Sequence, residues 1–341
     1  MVTTGRDQKH FTVPVFIPGA ACPFQCIFCD QKKISGASGI PSQNDVNEII
    51  RRHLQTIPFE NVFVEVGFFG GTFTGLRPEQ QQRFFDVVYP YIRNGRIKSI
   101  RVSTRPDFIT PEILSLLRKN FVGTIELGAQ SMDDEVLLLS SRGHDSADTE
   151  SASRLIIEAG FSLGLQMMIG LPGDTAEKAV ETARGIVALK ATETRIYPVL
   201  VIRGTKLEEM YLSGQYQPLA LDEAVHRTKD VVKVFESSTV KILRIGLHPS
   251  EELVNRTALV AGPFHPSFRE LVMTERWNDR FKSGSLPDHA DQITINVNPA
   301  DYNNAIGYSG KNRKFFETRY RQVKFISDPE IPQKSYHVDY R

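Results

Sequence analysis

The chain has 341 residues, 40% hydrophobic and 24% charged, with 41 Lys plus Arg against 40 Asp plus Glu. It is long enough to bury a substantial core, and its near-zero net charge excludes a global field that draws in nucleic acid or an anionic membrane, so any such binding must come from a local patch. No run approaches the roughly 18 apolar residues of a membrane span, and the polar residues 1–10 are followed by too short an apolar stretch for a signal peptide. The chain is therefore expected to be soluble and cytoplasmic, with no membrane partner. Its only cysteines, Cys22, Cys26 and Cys29, fall within eight residues. An odd number at that density suits no disulfide framework and points to a reducing compartment and a metal site.

From residue 13 to residue 202 short β-branched runs alternate with helical patterns. Strands are predicted at 13–17, 62–68, 99–103, 123–127, 163–169 and 196–202, and helices at 44–56, 79–92, 111–119, 149–159 and 176–189. Several of these helices open after Ser, Thr, Asp or Pro start signals. Six strands separated by helices argue for parallel βαβ units with right-handed crossovers. The pattern alone leaves open a closed or partly closed barrel and a doubly wound sheet. Residues 219–281 read as helix-rich with one strand at 240–247. After the polar stretch 282–291 the pattern becomes strand 292–297, helix 299–306, a Gly-x-x-Gly turn, a second helix from Lys311, and strand 322–326. A boundary near Asp288 divides the chain into a barrel (1–240), a helix-rich extension (241–287) and a small α+β module (288–341).

Directly after the first strand, residues 21–30 read ACPFQCIFCD. Cys-x3-Cys-x2-Cys places three thiolates on one tight loop, where they can hold three irons of a cubane and leave the fourth without a protein ligand. S-adenosylmethionine can chelate that open iron through its amino and carboxylate groups, and an electron from the [4Fe–4S] cluster then cleaves the sulfonium to a 5′-deoxyadenosyl radical. A zinc site would usually need a fourth Cys or His at short spacing, and no His lies nearby on the C-terminal side. Phe28, just before the third cysteine, is placed to pack against adenine or simply within the loop. Gly70, Gly71 and Thr72 end the second strand; glycines there allow close approach of a ligand, or form a bare turn.

Cys-x3-Cys-x2-Cys with an aromatic before its last Cys resembles the signature of the radical S-adenosylmethionine superfamily, and the match continues along about 200 residues. The resemblance implies a partial (β/α) barrel with the cluster loop after strand one, and a Gly-Gly-Thr backbone that receives the cofactor's methionine amino group. Segments 103–110 (STRPDFIT), 126–137 (ELGAQSMDDEVL), 142–145 (RGHD), 167–175 (MMIGLPGDT) and 197–216 resemble the radical domain of the Elongator catalytic subunit, a tRNA wobble-uridine modifying enzyme. More distantly they resemble oxygen-independent coproporphyrinogen III oxidase. By position, Ser103, Gln130 and Arg142 fall where the latter family contacts ribose and carboxylate, and Gln166 falls where it has an Asp on the ribose. All four sit at or just beyond strand ends, where barrels place ligands. Arg142 is suited to a bidentate carboxylate pair, or is a solvated surface Arg. Elongator's subunit also carries an acetyltransferase domain, for which this chain has no room, so the resemblance is to a shorter bacterial group and does not imply acetyl addition.

Arg203, Lys206, Arg244 and His248 flank the last strands at the presumed open face, where they can hold an anionic substrate, supply a proton or be solvated. In the C-terminal module Gly307, Tyr308, Ser309 and Gly310, followed by Lys311, resemble the GxxG loop of KH domains, which clamps single-stranded nucleic acid. The basic residues Lys311, Arg313, Lys314, Arg319 and Arg321 add local charge; a Gly-bounded helix turn is the plain alternative. The expected protein is a radical enzyme with a KH-like module that modifies RNA, specifically tRNA, and takes electrons from an external donor such as flavodoxin or ferredoxin. The alternatives are a radical enzyme acting on a small anionic metabolite or porphyrin-like molecule, and a non-catalytic iron–sulfur protein.

Overall fold

The structure is a computed structural model that describes residues 8–22, 26–36, 39–287 and 290–341. The boundary expected at Asp288 lies outside the described residues. Among the described residues nine strands precede the C-terminal module: β1 Lys9–Phe16, β2 Val62–Phe69, β3 Ser99–Thr104, β4 Val122–Gln130, β5 Ser162–Ile169, β6 Glu193–Pro198, β7 Val201–Ile202, β8 Lys241–Ile245 and β9 Leu259–Ala261. Seven form one parallel sheet in the order β1-β2-β3-β4-β5-β6-β8, and β7 pairs antiparallel with β9. The single strand expected at 196–202 is thus two, and β8, assigned by sequence to a separate extension, is the seventh strand of the barrel sheet.

Local signals start the helices. Ser42 caps Gln43–Thr56 in a capping box with Asp45, Thr110 accepts from the Ile113 amide ahead of Pro111–Lys119, and Asp145 and Asp148 box the start of Ser146–Glu158. Each cap satisfies amides that the helix itself leaves unpaired. The strands show a stricter pattern. Val64, Val66 and Phe68 on β2, Ile100 and Val102 on β3, Ile125 and Leu127 on β4, and Leu165, Met167 and Ile169 on β5 are buried in the main core. The alternate positions are Glu65, Gly67, Arg101, Ser103, Glu126, Gly128 and Gln166. Parallel strands covered by helices on both faces read as continuous apolar runs, whereas this period-two alternation means that one face packs on helices and the other lines a polar interior. Residues from both edge strands' ends of the sheet, Thr12 on β1 and Arg244 on β8, line one cavity. The sheet is therefore curled into an open, partial barrel.

Helix Phe268–Ser283 belongs to two cores at once. Phe268, Val272 and Met273 pack in the barrel core, whereas Trp277 and Phe281 pack with Ile293, Ile295, Val297, Phe316 and Phe325. Those last residues belong to a three-stranded sheet of β10 Gln292–Val297, β11 Gln322–Ser327 and β12 Tyr336–Tyr340, ordered β11-β10-β12. β10 runs parallel to β11 and antiparallel to β12. The expected β-α-α-β order is present, and β12 adds a strand that the sequence pattern did not announce. No helix among the described residues is long and apolar enough to cross a membrane.

Candidate active site

A cavity of about 860 Å³ opens along the C-terminal ends of the barrel strands. Cys22, Cys26, Cys29, Phe28, Gly70, Gly71, Thr72, Ser103, Gln130, Arg142 and Gln166 all line it. The structure thus brings together in one cavity every residue that the sequence singled out for cluster and cofactor. Arg244 on β8 and His248 just beyond it line it too. Arg203 and Lys206 do not: Arg203 Nε donates to the Thr257 carbonyl at 3.2 Å and Lys206 pairs with Glu209 at 2.6 Å. Both follow β7, which leaves the parallel sheet and turns them away from its open end.

The cluster loop is fixed by backbone contacts with the end of β2. The Ile17 amide donates to Phe69 O at 2.7 Å, Gly19 to Gly70 O at 2.8 Å, and Thr72 to Ala20 O at 2.9 Å. A Cβ on Gly71 would stand 2.8 Å from the carbonyl oxygens of both Ile17 and Ala20, so the close approach that demands glycine here is to the cluster loop itself. Gly70 has φ +91°, a region glycine enters without strain.

Around the sulfurs, Thr72 Oγ1 lies 3.3 Å from Cys22 Sγ, Gln31 Nε2 donates to Cys29 Sγ at 3.4 Å, and Arg142 Nη1 donates to Cys26 Sγ at 3.0 Å. Burial, reinforced by the charge of Cys26, pushes the Cys29 thiol up to about 12, against which the Gln31 bond and the Arg142 charge act only in part. A sulfur so placed becomes a thiolate when a cation binds it. Among the described residues no three His, Cys, Asp or Glu side chains converge on a single ion. A cubane does not ask for that convergence, since each thiolate takes a different iron.

Polar atoms without partners test the fit of an organic cofactor. Ser103 Oγ, Gln130 Oε1 and Arg142 Nε are buried and make no hydrogen bond among the described residues. Each such group costs about 1–3 kcal/mol unless a ligand satisfies it. Gln130 also has φ +70°, where the β4–β5 register shifts between Leu127 and Gln130; a non-glycine residue there is strained and is held by its surroundings. A ligand offering both donors and acceptors, as S-adenosylmethionine does, fits this wall. Arg142, expected on the cofactor carboxylate, has Nη1 on Cys26 and Nη2 on the Gly128 carbonyl at 2.6 Å, leaving only Nε uncommitted.

Beneath the cavity lies a charge cluster that motif reading missed. Arg101 on β3 donates to Glu65 on β2 and meets Glu193 on β6, both at 2.7 Å, with Glu126 on β4 at 3.7 Å. Arg195 on β6 pairs with Glu126. Burial alone would raise Glu65, but bonds from His10 and the charge of Arg101 outweigh it and hold its carboxyl below the usual range. The available signal was the polar alternation inside predicted parallel strands, as in SIRVST and TIELG. Gly164 makes room for this cluster, since a Cβ there would lie 2.6 Å from Glu126 Cγ.

The Gly307–Gly310 turn sits elsewhere. Its Tyr308 amide donates to Thr274 Oγ1 at 2.7 Å, and Lys311 pairs with Glu275 at 2.5 Å, so the turn docks the module on helix Phe268–Ser283. Tyr308 and Ser309 face solvent, while the Lys311 charge is already engaged.

The Radical SAM superfamily matches residues 16–186, and the Radical_SAM C-terminal domain matches residues 192–278. An uncharacterized protein of Methanocaldococcus jannaschii is 31% identical over 225 residues, covering 62% of this chain and 68% of that one. The tRNA uridine(34) acetyltransferase of Methanocaldococcus infernus is 29% identical over 229 residues, covering 61% of this chain but 42% of the relative, so the chain spans less than half of that protein's length. The solved structure of the archaeal Methanocaldococcus infernus Elp3 with an N-terminal deletion matches with a TM-score of 0.65 at 22% identity, over 82% of this chain and 69% of that one, which shows a shared fold. Three cysteines on a loop after the first strand, a partial barrel and a family match over half the chain agree: the chain belongs to the Radical SAM superfamily, enzymes that use a [4Fe–4S] cluster and S-adenosylmethionine.

Proposed function

We propose that this enzyme modifies a nucleoside in RNA, with tRNA as the substrate class. The observation that carries the reading is the single cavity in which Cys22, Cys26 and Cys29 share a wall with the unpartnered atoms of Ser103, Gln130 and Arg142. The tRNA uridine(34) acetyltransferase relatives support the choice of substrate. The three cysteines would hold the cluster, and Gly70, Gly71, Thr72, Ser103, Gln130, Arg142 and Gln166 would surround the cofactor. When bound, the pair supplies reductive cleavage of the sulfonium and hence a radical able to abstract hydrogen.

This chain's own residues do the rest. The Arg142 guanidinium holds Cys26 Sγ and the Gly128 carbonyl in register. Thr72 sits beside Cys22, and Gln31 beside Cys29, so each cysteine has one polar neighbour. Phe28, buried with Val136 and Leu171, closes the wall against water. In the C-terminal module the exposed Tyr308 and Ser309, with Lys314, Arg319 and Arg321 nearby in sequence, provide a surface for the RNA backbone. An external single-electron donor of the flavodoxin or ferredoxin class would supply the electron.

The test is to incubate anaerobically reconstituted protein with reductant, S-adenosylmethionine and unmodified tRNA, then digest the RNA and weigh its nucleosides. A new uridine-derived mass that depends on Cys26 supports the reading. Cofactor cleavage that no RNA stimulates, combined with stimulation by a small porphyrin-like or carboxylate metabolite, overturns it.

A further inference from the structure

The predicted cofactor contacts lie on the β1 to β5 side, yet the cavity continues to β6, β8 and the turn beyond. That far wall contributes Arg195, Tyr197, Leu243, Arg244, Leu247 and His248. Four arginines line the whole cavity, and three are committed: Arg105 to Asp107, Arg142 to Cys26 and Gly128, and Arg195 to Glu126. Arg244 is half-buried and makes neither an ion pair nor a hydrogen bond among the described residues.

Register sharpens the anomaly. Arg195 on β6 is the partner of Arg244 on β8, so two guanidinium stems stand side by side on neighbouring strands and both enter the cavity. Like charges directly opposite on adjacent strands destabilise a sheet. Glu126 answers the charge of Arg195, and no carboxylate among the described residues answers that of Arg244. Tyr197 follows Arg195 on the same face; burial, with the nearby Arg195 and Glu126 charges opposing one another, keeps its phenol above the ordinary value and so as an O–H donor. Partial burial and the Arg244 charge lower His248, leaving its ring neutral at the rim. Leu243 and Leu247 line the cavity alongside them.

We propose that Arg244, with Tyr197 and His248 also lining the cavity, forms an oxyanion subsite that holds a carboxylate or phosphate of the substrate at the β6–β8 edge of the sheet. The inference rests on the reading that this cavity is where the substrate reacts. A planar guanidinium takes either oxyanion bidentately, and an uncommitted one loses no existing partner on doing so. Phosphate is the form that a nucleotide would present there, and carboxylate the form that a metabolite would present.

The experiment titrates reconstituted, cofactor-loaded protein calorimetrically with uridine, uridine 5′-monophosphate and glutarate. One anion should bind wild-type protein more tightly than uridine does, and Arg244→Gln should weaken that anion by about ten- to a hundredfold, as loss of a charge-assisted pair implies. Arg244→Lys should recover part of the loss. Preference for the monophosphate identifies a phosphate subsite, and preference for glutarate a carboxylate subsite. If Arg244→Gln loses its cluster absorbance, Tyr197→Phe carries the test, with weaker binding of the preferred anion expected. Wild-type protein that binds neither anion, or variants that bind as wild type does, overturn the subsite. Modified tRNA alongside anion binding indifferent to Arg244 would sink the subsite alone. Anion binding lost in Arg244→Gln, without any modified tRNA, would sink the tRNA reading alone.

Discussion

The two ends of the cavity are built from different materials. At the β1–β2 end main chain meets main chain: the cluster loop and the Gly-Gly-Thr turn exchange backbone hydrogen bonds, and Gly71 sits where a Cβ would strike two carbonyl oxygens. At the β6–β8 end side chains carry the wall, and Arg195 and Arg244 stand in register with one carboxylate partner, Glu126, between them among the described residues. A wall of packed backbone fixes one geometry and tolerates no added atom, whereas a wall of long side chains accepts substitution and sets which ligand enters. The first is suited to a cofactor, and the second to selecting a substrate.

The sharpest break in that comparison is at the sulfurs. Replacing Cys22, Cys26 or Cys29 by Ala is expected to abolish the cluster entirely, so that iron and sulfide analysis falls from about four of each per chain to background. Stoichiometric zinc without cluster absorbance in the wild-type protein would sink the assignment. Next comes the charged floor that ties the two ends together. Arg101→Met leaves the buried Glu65 and the half-buried Glu193 without their shared cation and should cost about 3–5 kcal/mol in denaturant unfolding. A loss below about 1 kcal/mol would mean that the floor is not a structural link.

Between the two ends, the turn after β5 offers a pH-dependent test. Burial, partly offset by the Gly170 amide bond, raises Asp174 from its ordinary 3.8 to about 6. A carboxyl whose folded pKa is raised contributes stability that is fully present below the unfolded value and lost as pH rises through the folded one. Asp174→Asn should therefore unfold less readily than wild type above pH 6. The gain should be at most about 3 kcal/mol and should vanish below about pH 4. A stability difference that is flat from pH 4 to pH 8 would refute the raised pKa.

Smaller effects sharpen the contrast directly. Gly71→Ala should cost about 1–3 kcal/mol by overpacking and lower the iron content, because the added methyl moves the cluster loop. Arg244→Gln should stay within about 0.5 kcal/mol of wild type in unfolding and keep its cluster absorbance, since it breaks no hydrogen bond or ion pair among the described residues. Thermal melts and visible spectra of the two variants, measured together, decide whether backbone and side-chain walls differ as described.

The sequence by itself determined what depends on neighbours along the chain. Cys-x3-Cys-x2-Cys placed the cluster loop, Thr110 and Pro111 placed a helix start, and alternating strands and helices placed six parallel strands, while the helix expected from 149 begins three residues earlier behind its Asp145 cap. These are local choices of turn, cap and period. Only the tertiary structure decided the rest. Strand register put Arg195 beside Arg244, which lie 49 residues apart, and curvature opened both into the cavity that holds the cysteines. It turned Arg203 and Lys206 outward along β7, and it gave Lys311 of the Gly-x-x-Gly turn to Glu275 on a helix shared by two cores. It also showed that the glycine expected to admit a ligand makes room for the chain's own loop. The physical reason is common to all of these cases: which side chains share a face is local, but which faces share a space is set by how the sheet pairs and curls.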